Sequence, residues 1–176
     1  MNSSANARGS QTGVAAVTAA AQTADGERRK FYLHPGQLFV SPENYAVTTI
    51  LGSCVSVCLW DPATKIAGIN HFLLPYAGED APISTRFGDC AVRRLIADMR
   101  ALGAALDRLQ AKIFGGACVL DAFRRRDHHL GAKNVAVARG ELESAKIPIL
   151  GEDIGGHKGR KLIFYTDSGA AWVKEL

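Results

Sequence analysis

One stretch restricts the folds open to this chain more than any other. Between Gly88 and Leu109 the residues Val92, Leu95, Ile96, Met99, Leu102, Leu106 and Leu109 recur at three- and four-residue steps. Arg93, Arg94, Asp98, Arg100 and Asp107 fill the other positions. This pattern predicts an amphipathic helix whose apolar face needs a cover. The flanking segments supply a sheet. Short β-rich runs at 36–40, 46–51, 55–60 and 66–72 precede the helix, bounded by turn chemistry such as Ser41-Pro42-Glu43-Asn44 and Asp61-Pro62. The run Val55-Ser56-Val57-Cys58-Leu59-Trp60 is apolar at nearly every position, as in a strand buried on both faces.

After the helix, Lys112-Ile113-Phe114 reads as a strand stopped by Gly115-Gly116. A second helix is predicted from Asn134, a good N-cap, to Ala145, weakened by Gly140. Further strands are expected at 147–151, 161–166 and 171–174. Strands interleaved with two or three helices predict an α/β (α+β) sandwich, a single compact domain with mixed β-sheets.

The chain has 176 residues, which suits one domain with a short tail. Residues 1–30 read as a disordered amino-terminal tail, rich in Ala, Ser, Thr, Gln and Asn, and 31–176 as the folded domain. The alanine-rich stretch 14–21 follows Gln11 and Thr12 rather than a basic cluster, so it does not read as a signal peptide, and a cytoplasmic location is expected. Arg28-Arg29-Lys30 reads as a solvated hinge. No run reaches the ~20 apolar residues of a membrane span, so no membrane insertion is expected. A net charge of +4 gives no electrostatic case for a nucleic-acid partner.

The four cysteines are Cys54, Cys58, Cys90 and Cys118, at gaps of 4, 32 and 28 residues with no C-x-x-C. That spacing speaks against a zinc site, even with His128-His129 as further ligands, and no metal or cofactor is expected. On one strand Cys54 and Cys58 would lie about 13 Å apart, too far for a disulfide. Cys58, Cys90 and Cys118 read as small buried hydrophobes.

Cys54 differs because it follows Gly52-Ser53 at a junction between two apolar strands. A nucleophile needs such a place, exposed but held by rigid flanks, with backbone N–H groups freed at the turn to meet an oxyanion. The candidate base is His71, in Asn70-His71-Phe72-Leu73-Leu74-Pro75, at the end of a strand that can return beside Cys54. From the residues alone, His71 reads equally as a core histidine tied to a backbone carbonyl. Other motifs are weaker. In Lys112-Ile113-Phe114-Gly115-Gly116-Ala117 the lysine precedes the glycines, unlike a P-loop, so a tight strand exit is expected. Residues 154–160 are basic and glycine-rich, a hairpin turn or an anion site. Arg124-Arg125-Arg126 reads as a solvated loop.

Leu51-Gly52-Ser53-Cys54-Val55, Asn70 to Pro75 and Lys112 to Ala117 together, in this order and spacing, resemble the CheD family of chemoreceptor glutamine deamidases. Gly131-Ala132-Lys133-Asn134-Val135 and the run Asp153 to Arg160 are similar to further family blocks. The resemblance spans roughly 31–174. It implies an α/β sandwich, related at its active site to toxins that deamidate a glutamine of small GTPases. It implies a cysteine amidohydrolase that turns glutamines of methyl-accepting chemotaxis receptors into glutamates. The family's nucleophile falls on Cys54 and its histidine on His71. Its threonine falls by spacing on Thr48, with Thr49 beside it as second choice, and Gly52 and Ser53 form the oxyanion turn. The implied partners are receptor cytoplasmic helices and, for some members, a CheC-type phosphatase. Two other classes stay open: a binding module regulating that phosphatase, and a transglutaminase-like or other cysteine hydrolase. Ser84, Thr85 and Arg86 are candidates for reading the substrate.

Overall fold

The alternating pattern of the sequence resolves into nine strands and two α-helices in a computed structural model that describes residues 28–78, 82–118 and 129–176. The strands are β1 (Arg29–Tyr32), β2 (Leu38–Ser41), β3 (Tyr45–Leu51), β4 (Val55–Trp60), β5 (Ala67–Asn70), β6 (Gln110–Gly115), β7 (Ile149–Ile154), β8 (Arg160–Tyr165) and β9 (Ala171–Glu175). The helices are α1 (Gly88–Ala101) and α2 (Leu130–Ser144). Four strands form one mixed sheet, in the order β1-β3-β8-β9, and five form another, in the order β2-β5-β4-β6-β7. The architecture is the expected α+β sandwich, with no closed barrel.

Each face of the five-stranded sheet has its own core. On one side Val55, Val57 and Leu59 of β4 pack with Leu95 and Met99 of α1 and with Ala138 and Leu142 of α2. On the other side Cys58 and Ile69 meet Val47 and Leu51 of β3 and Leu162 and Phe164 of β8. Strand β4 is therefore buried on both faces, as its apolar run requires. Gly68 lets α1 approach, since a Cβ there would sit 2.8 Å from Leu95.

Several boundaries differ from the sequence expectation. Helix α1 stops at Ala101 because Gly103 takes φ +107 and the Ala104 N–H turns back to the Met99 carbonyl at 3.1 Å. The remaining apolar residues continue into a short 3-10 turn, Leu106–Arg108. Helix α2 begins before Asn134, capped by His129, whose ring accepts from the Ala132 N–H at 3.2 Å. Asn134 is a buried residue within the helix.

The basic cluster is no hinge. Arg29 and Lys30 belong to β1, Arg28 pairs with Asp167 at 2.8 Å, and Arg29 pairs with Glu43. The glycine-rich turn at 155–159 joins strands of different sheets, so β7 and β8 form no hairpin. Its Arg160 guanidinium is spent on the Asp153 carboxylate at 2.6 Å and on the Asp153 and Gly155 carbonyls. Lys112 donates to the Gly169 carbonyl at 2.8 Å, and its glycines end β6 as a tight strand exit. Residues 1–27, Arg124-Arg125-Arg126 and His128 lie outside the described residues.

Candidate active site

Three residues, Gly52, Ser53 and Cys54, carry the chain from β3 in one sheet to β4 in the other. The nucleophile candidate therefore stands where the two sheets meet. His71 follows β5, the neighbour of β4, and a bridge between Val55 and Phe72 ties the two segments by mutual backbone bonds of 3.1 and 3.0 Å. In antiparallel register this bridge sets Ser56 across from His71 and Cys54 across from Leu73. Val55 and Phe72 point into the helix-side core. Alternation then turns Cys54, Ser56 and His71 to the opposite face, toward β3. Consistent with this, Cys54 packs against the inter-sheet core.

Strand β3 presents Val47, Thr49 and Leu51 to that same layer, all fully buried. Thr49 Oγ1 lies 2.8 Å from His71 Nδ1 and donates to the Leu33 carbonyl at 2.8 Å. A hydroxyl has one proton, and here the carbonyl takes it. The Thr49 oxygen must then accept from Nδ1–H, which leaves the neutral ring with a bare Nε2. That nitrogen is buried and carries no hydrogen bond. Burial lowers the His71 imidazole to about 4, against a smaller upward pull from the Leu33 carbonyl. Burial also raises the half-buried Cys54 thiol, partly offset by its own backbone amide. At neutral pH Cys54 is a thiol and His71 a neutral imidazole, on the same face of the layer.

The sequence-predicted residues are thus sorted. Cys54 and His71 share a face, and Thr49 is joined to the ring. Thr48 is one step out of phase, half-buried on the outer side of β3, where it pairs with Tyr32 and Ile163. The Gly52 carbonyl accepts from the Ala117 N–H at 2.8 Å, and the Ser53 carbonyl accepts from Asn134 Nδ2 at 3.0 Å. Asn134 also donates to the Leu73 carbonyl at 2.9 Å. Sequence reasoning missed this contact because an asparagine before an apolar run reads as a cap. Ser84, Thr85 and Arg86 line the segment next to the site: Thr85 donates to the Gly36 carbonyl at 2.5 Å, and the Arg86 carbonyl accepts from Leu73 and Leu74. Among the described residues no three His, Cys, Asp or Glu side chains gather as a metal site. Cys58 and Cys118 are buried, whereas Cys90 is half-buried.

Comparison with known proteins shows the family. Residues 73–175 match a family model described as "CheD chemotactic sensory transduction". The chain belongs to the CheD family. A "Probable chemoreceptor glutamine deamidase CheD 1" of Anaeromyxobacter dehalogenans is 49% identical over 162 residues, 92% of this chain and 94% of that one. Proteins named "Probable chemoreceptor glutamine deamidase CheD" from Sulfurimonas denitrificans and Stenotrophomonas maltophilia are 38% and 44% identical. They cover 84% and 82% of this chain and 95% and 72% of their own. The family-model match begins just after His71. The Anaeromyxobacter match covers so much of the chain that it includes Thr49, Cys54 and His71. No helix among the described residues is long and apolar enough to cross a membrane.

Proposed function

We propose that this protein deamidates glutamine side chains of methyl-accepting chemotaxis receptors, with Cys54 as nucleophile and His71 as base. The observation that carries the reading is the Thr49–His71 hydrogen bond, which leaves Nε2 bare on the face that Cys54 shares. The names of the relatives supply the substrate class.

Nε2 takes the Cys54 proton as sulfur attacks the carboxamide carbon. Backbone N–H groups at the Gly52–Cys54 turn hold the oxyanion. As the C–N bond breaks, the imidazolium returns its proton to the departing nitrogen and ammonia leaves. Water then gives a proton to Nε2 and adds to the thioester. The C–S bond breaks, sulfur recovers the proton, and glutamate remains. Thr49, through its bond to Nδ1, holds the ring in the tautomer that both steps need.

The test is to incubate the protein with receptor cytoplasmic fragments and to measure ammonia and the mass of receptor peptides. Glutamines converted to glutamates, with no activity in Cys54→Ala, support the reading. Ammonia released as fast by Cys54→Ala overturns it, and incorporation of an added amine points to a transglutaminase-like enzyme. Binding of a CheC-type phosphatase that survives in Cys54→Ala, with no deamidation by the parent protein, identifies a binding module instead.

A further inference from the structure

The turn that carries Cys54 is held from two sides, and the two grips differ. On the β6 side the register pairs Val55 with Gly115, so Cys54 falls opposite Gly116. The Gly116 N–H donates to the Cys54 carbonyl at 2.8 Å. In a regular antiparallel ladder that pair exchanges two bonds, and the Cys54 N–H would return one to the Gly116 carbonyl. It does not, because Gly115 and Gly116 turn the chain away at φ +106 and +71. The Gly116 carbonyl faces α2 so closely that a Cβ on Gly131 would stand 2.2 Å from its oxygen. The Cys54 N–H is left with no carbonyl or side-chain oxygen as acceptor among the described residues.

On the α2 side, Asn134 is fully buried and spends both Nδ2 protons on carbonyls, those of Ser53 and Leu73. Only the amide nitrogen can serve two carbonyls, so the side-chain orientation is fixed. The Ser53–Cys54 peptide is trans, and in a planar trans peptide the C=O and N–H point in opposite directions. Holding the Ser53 carbonyl on α2 therefore turns the Cys54 N–H away from α2, beside its own sulfur.

We infer that Asn134 is a positioning residue of the active site: its grip on the Ser53 carbonyl aims the Cys54 N–H, which no protein oxygen among the described residues accepts, as the oxyanion donor. The same side chain reaches the segment just past His71, so one group sets the nucleophile's peptide relative to the strand end that carries the base. The inference rests on the deamidase reading and adds to it a residue on a helix remote in sequence.

Asn134→Ala and Asn134→Asp test it. The second keeps the shape of the side chain but has at most one proton for the two carbonyls. Three quantities are compared with the parent: kcat and KM for ammonia release from receptor fragments, the pH profile of Cys54 alkylation by iodoacetamide read on its own peptide, and the circular dichroism spectrum. Alkylation displaces iodide from a tetrahedral carbon and forms no oxyanion. The expected result is a fall in kcat of roughly 10- to 100-fold, with KM, the alkylation profile and the spectrum unchanged. Parental kcat in either folded variant overturns the inference. So does an alkylation profile that shifts in step with kcat, or failure of both variants to fold, since each makes the clamp purely structural. If the parent protein releases no ammonia, or Cys54→Ala is fully active, the deamidase reading itself fails and takes this inference with it.

Discussion

Strand β4 runs into Asp61 at its carboxyl end and starts one residue after Cys54, beside His71, at the other. Asp61 and His71 are both buried titratable groups, yet they are finished differently. Asp61 accepts from the Ala63 and Ala105 N–H groups at 2.9 and 3.1 Å and receives a two-pronged Arg108 guanidinium at 3.1 and 2.8 Å. Those donors hold its carboxyl well below the usual carboxylate range. His71 has one nitrogen bonded and the other buried and bare. A buried polar group with every valence met ties loops together, here the β4–β5 turn to the residues after α1. A buried group with one valence unmet costs stability, and when that valence is the lone pair of an imidazole nitrogen it can take up a proton. The same strand thus ends once in a staple and once in a site.

The largest expected effect separates the two ends. Cys54→Ala removes ammonia release by roughly 10⁴-fold or more while the thermal midpoint stays near the parental value. Asp61→Ala does the reverse. It costs about 1–3 kcal/mol in urea unfolding, because the Ala63 and Ala105 N–H groups lose their acceptor, and leaves kcat of the folded protein unchanged. If Asp61→Ala lowers kcat in step with stability, the two ends are coupled and the contrast fails.

pH separates them next. The folded His71 sits near 4 against an ordinary 6.5, so the unfolded chain binds a proton first as the medium acidifies. His71 therefore contributes no penalty above pH 6.5, and stability falls as pH drops from there through 4, by up to about 3 kcal/mol. Asp61, whose folded value is depressed, loses its contribution only at lower pH, below the ordinary carboxylate value of 3.8. Urea midpoints measured between pH 7.5 and 4.5 should decline in the parent and stay flat in His71→Gln. An equal decline in both assigns the transition to another group. The acid limb of kcat/KM for deamidation should likewise lie below pH 6.5.

The smallest effects concern the two threonines. Thr49→Val removes the acceptor for Nδ1–H and should cost about 1–3 kcal/mol of transition-state stabilisation, roughly 10- to 100-fold in kcat. Thr48→Val, on the outer side of β3, should leave kcat unchanged. A loss confined to Thr48→Val would move the third member of the site to the other face of the strand.

The threonines also show how far local pattern reaches. Strand β3 contains two alternating sets, Ala46, Thr48 and Ile50 against Val47, Thr49 and Leu51, and each has a threonine between apolar neighbours. Nothing local says which set faces inward. The second layer decides it, because Leu162 and Phe164 of β8 close over Val47 and Leu51. The basic cluster before Phe31 reads as solvated because its partners, Glu43 and Asp167, lie 14 and 139 residues away. Asn134 reads as a cap for the same reason, since its carbonyl partners are 81 and 61 residues away.

What the sequence determined by itself is what depends on near neighbours. The doubly buried β4 is bounded correctly from its composition alone, because burial on both faces makes nearly every position apolar, Ser56 being the exception. The helix that needs a sheet and the Gly-Ser turn before Cys54 are equally local. The tertiary structure alone decided which threonine meets His71, which nitrogen of that ring is bare, and how Asn134 and Gly116 leave the Cys54 N–H open. Each of these is a hydrogen bond, or a missing one, between groups far apart in the chain. Such bonds exist only after the strands have chosen their register.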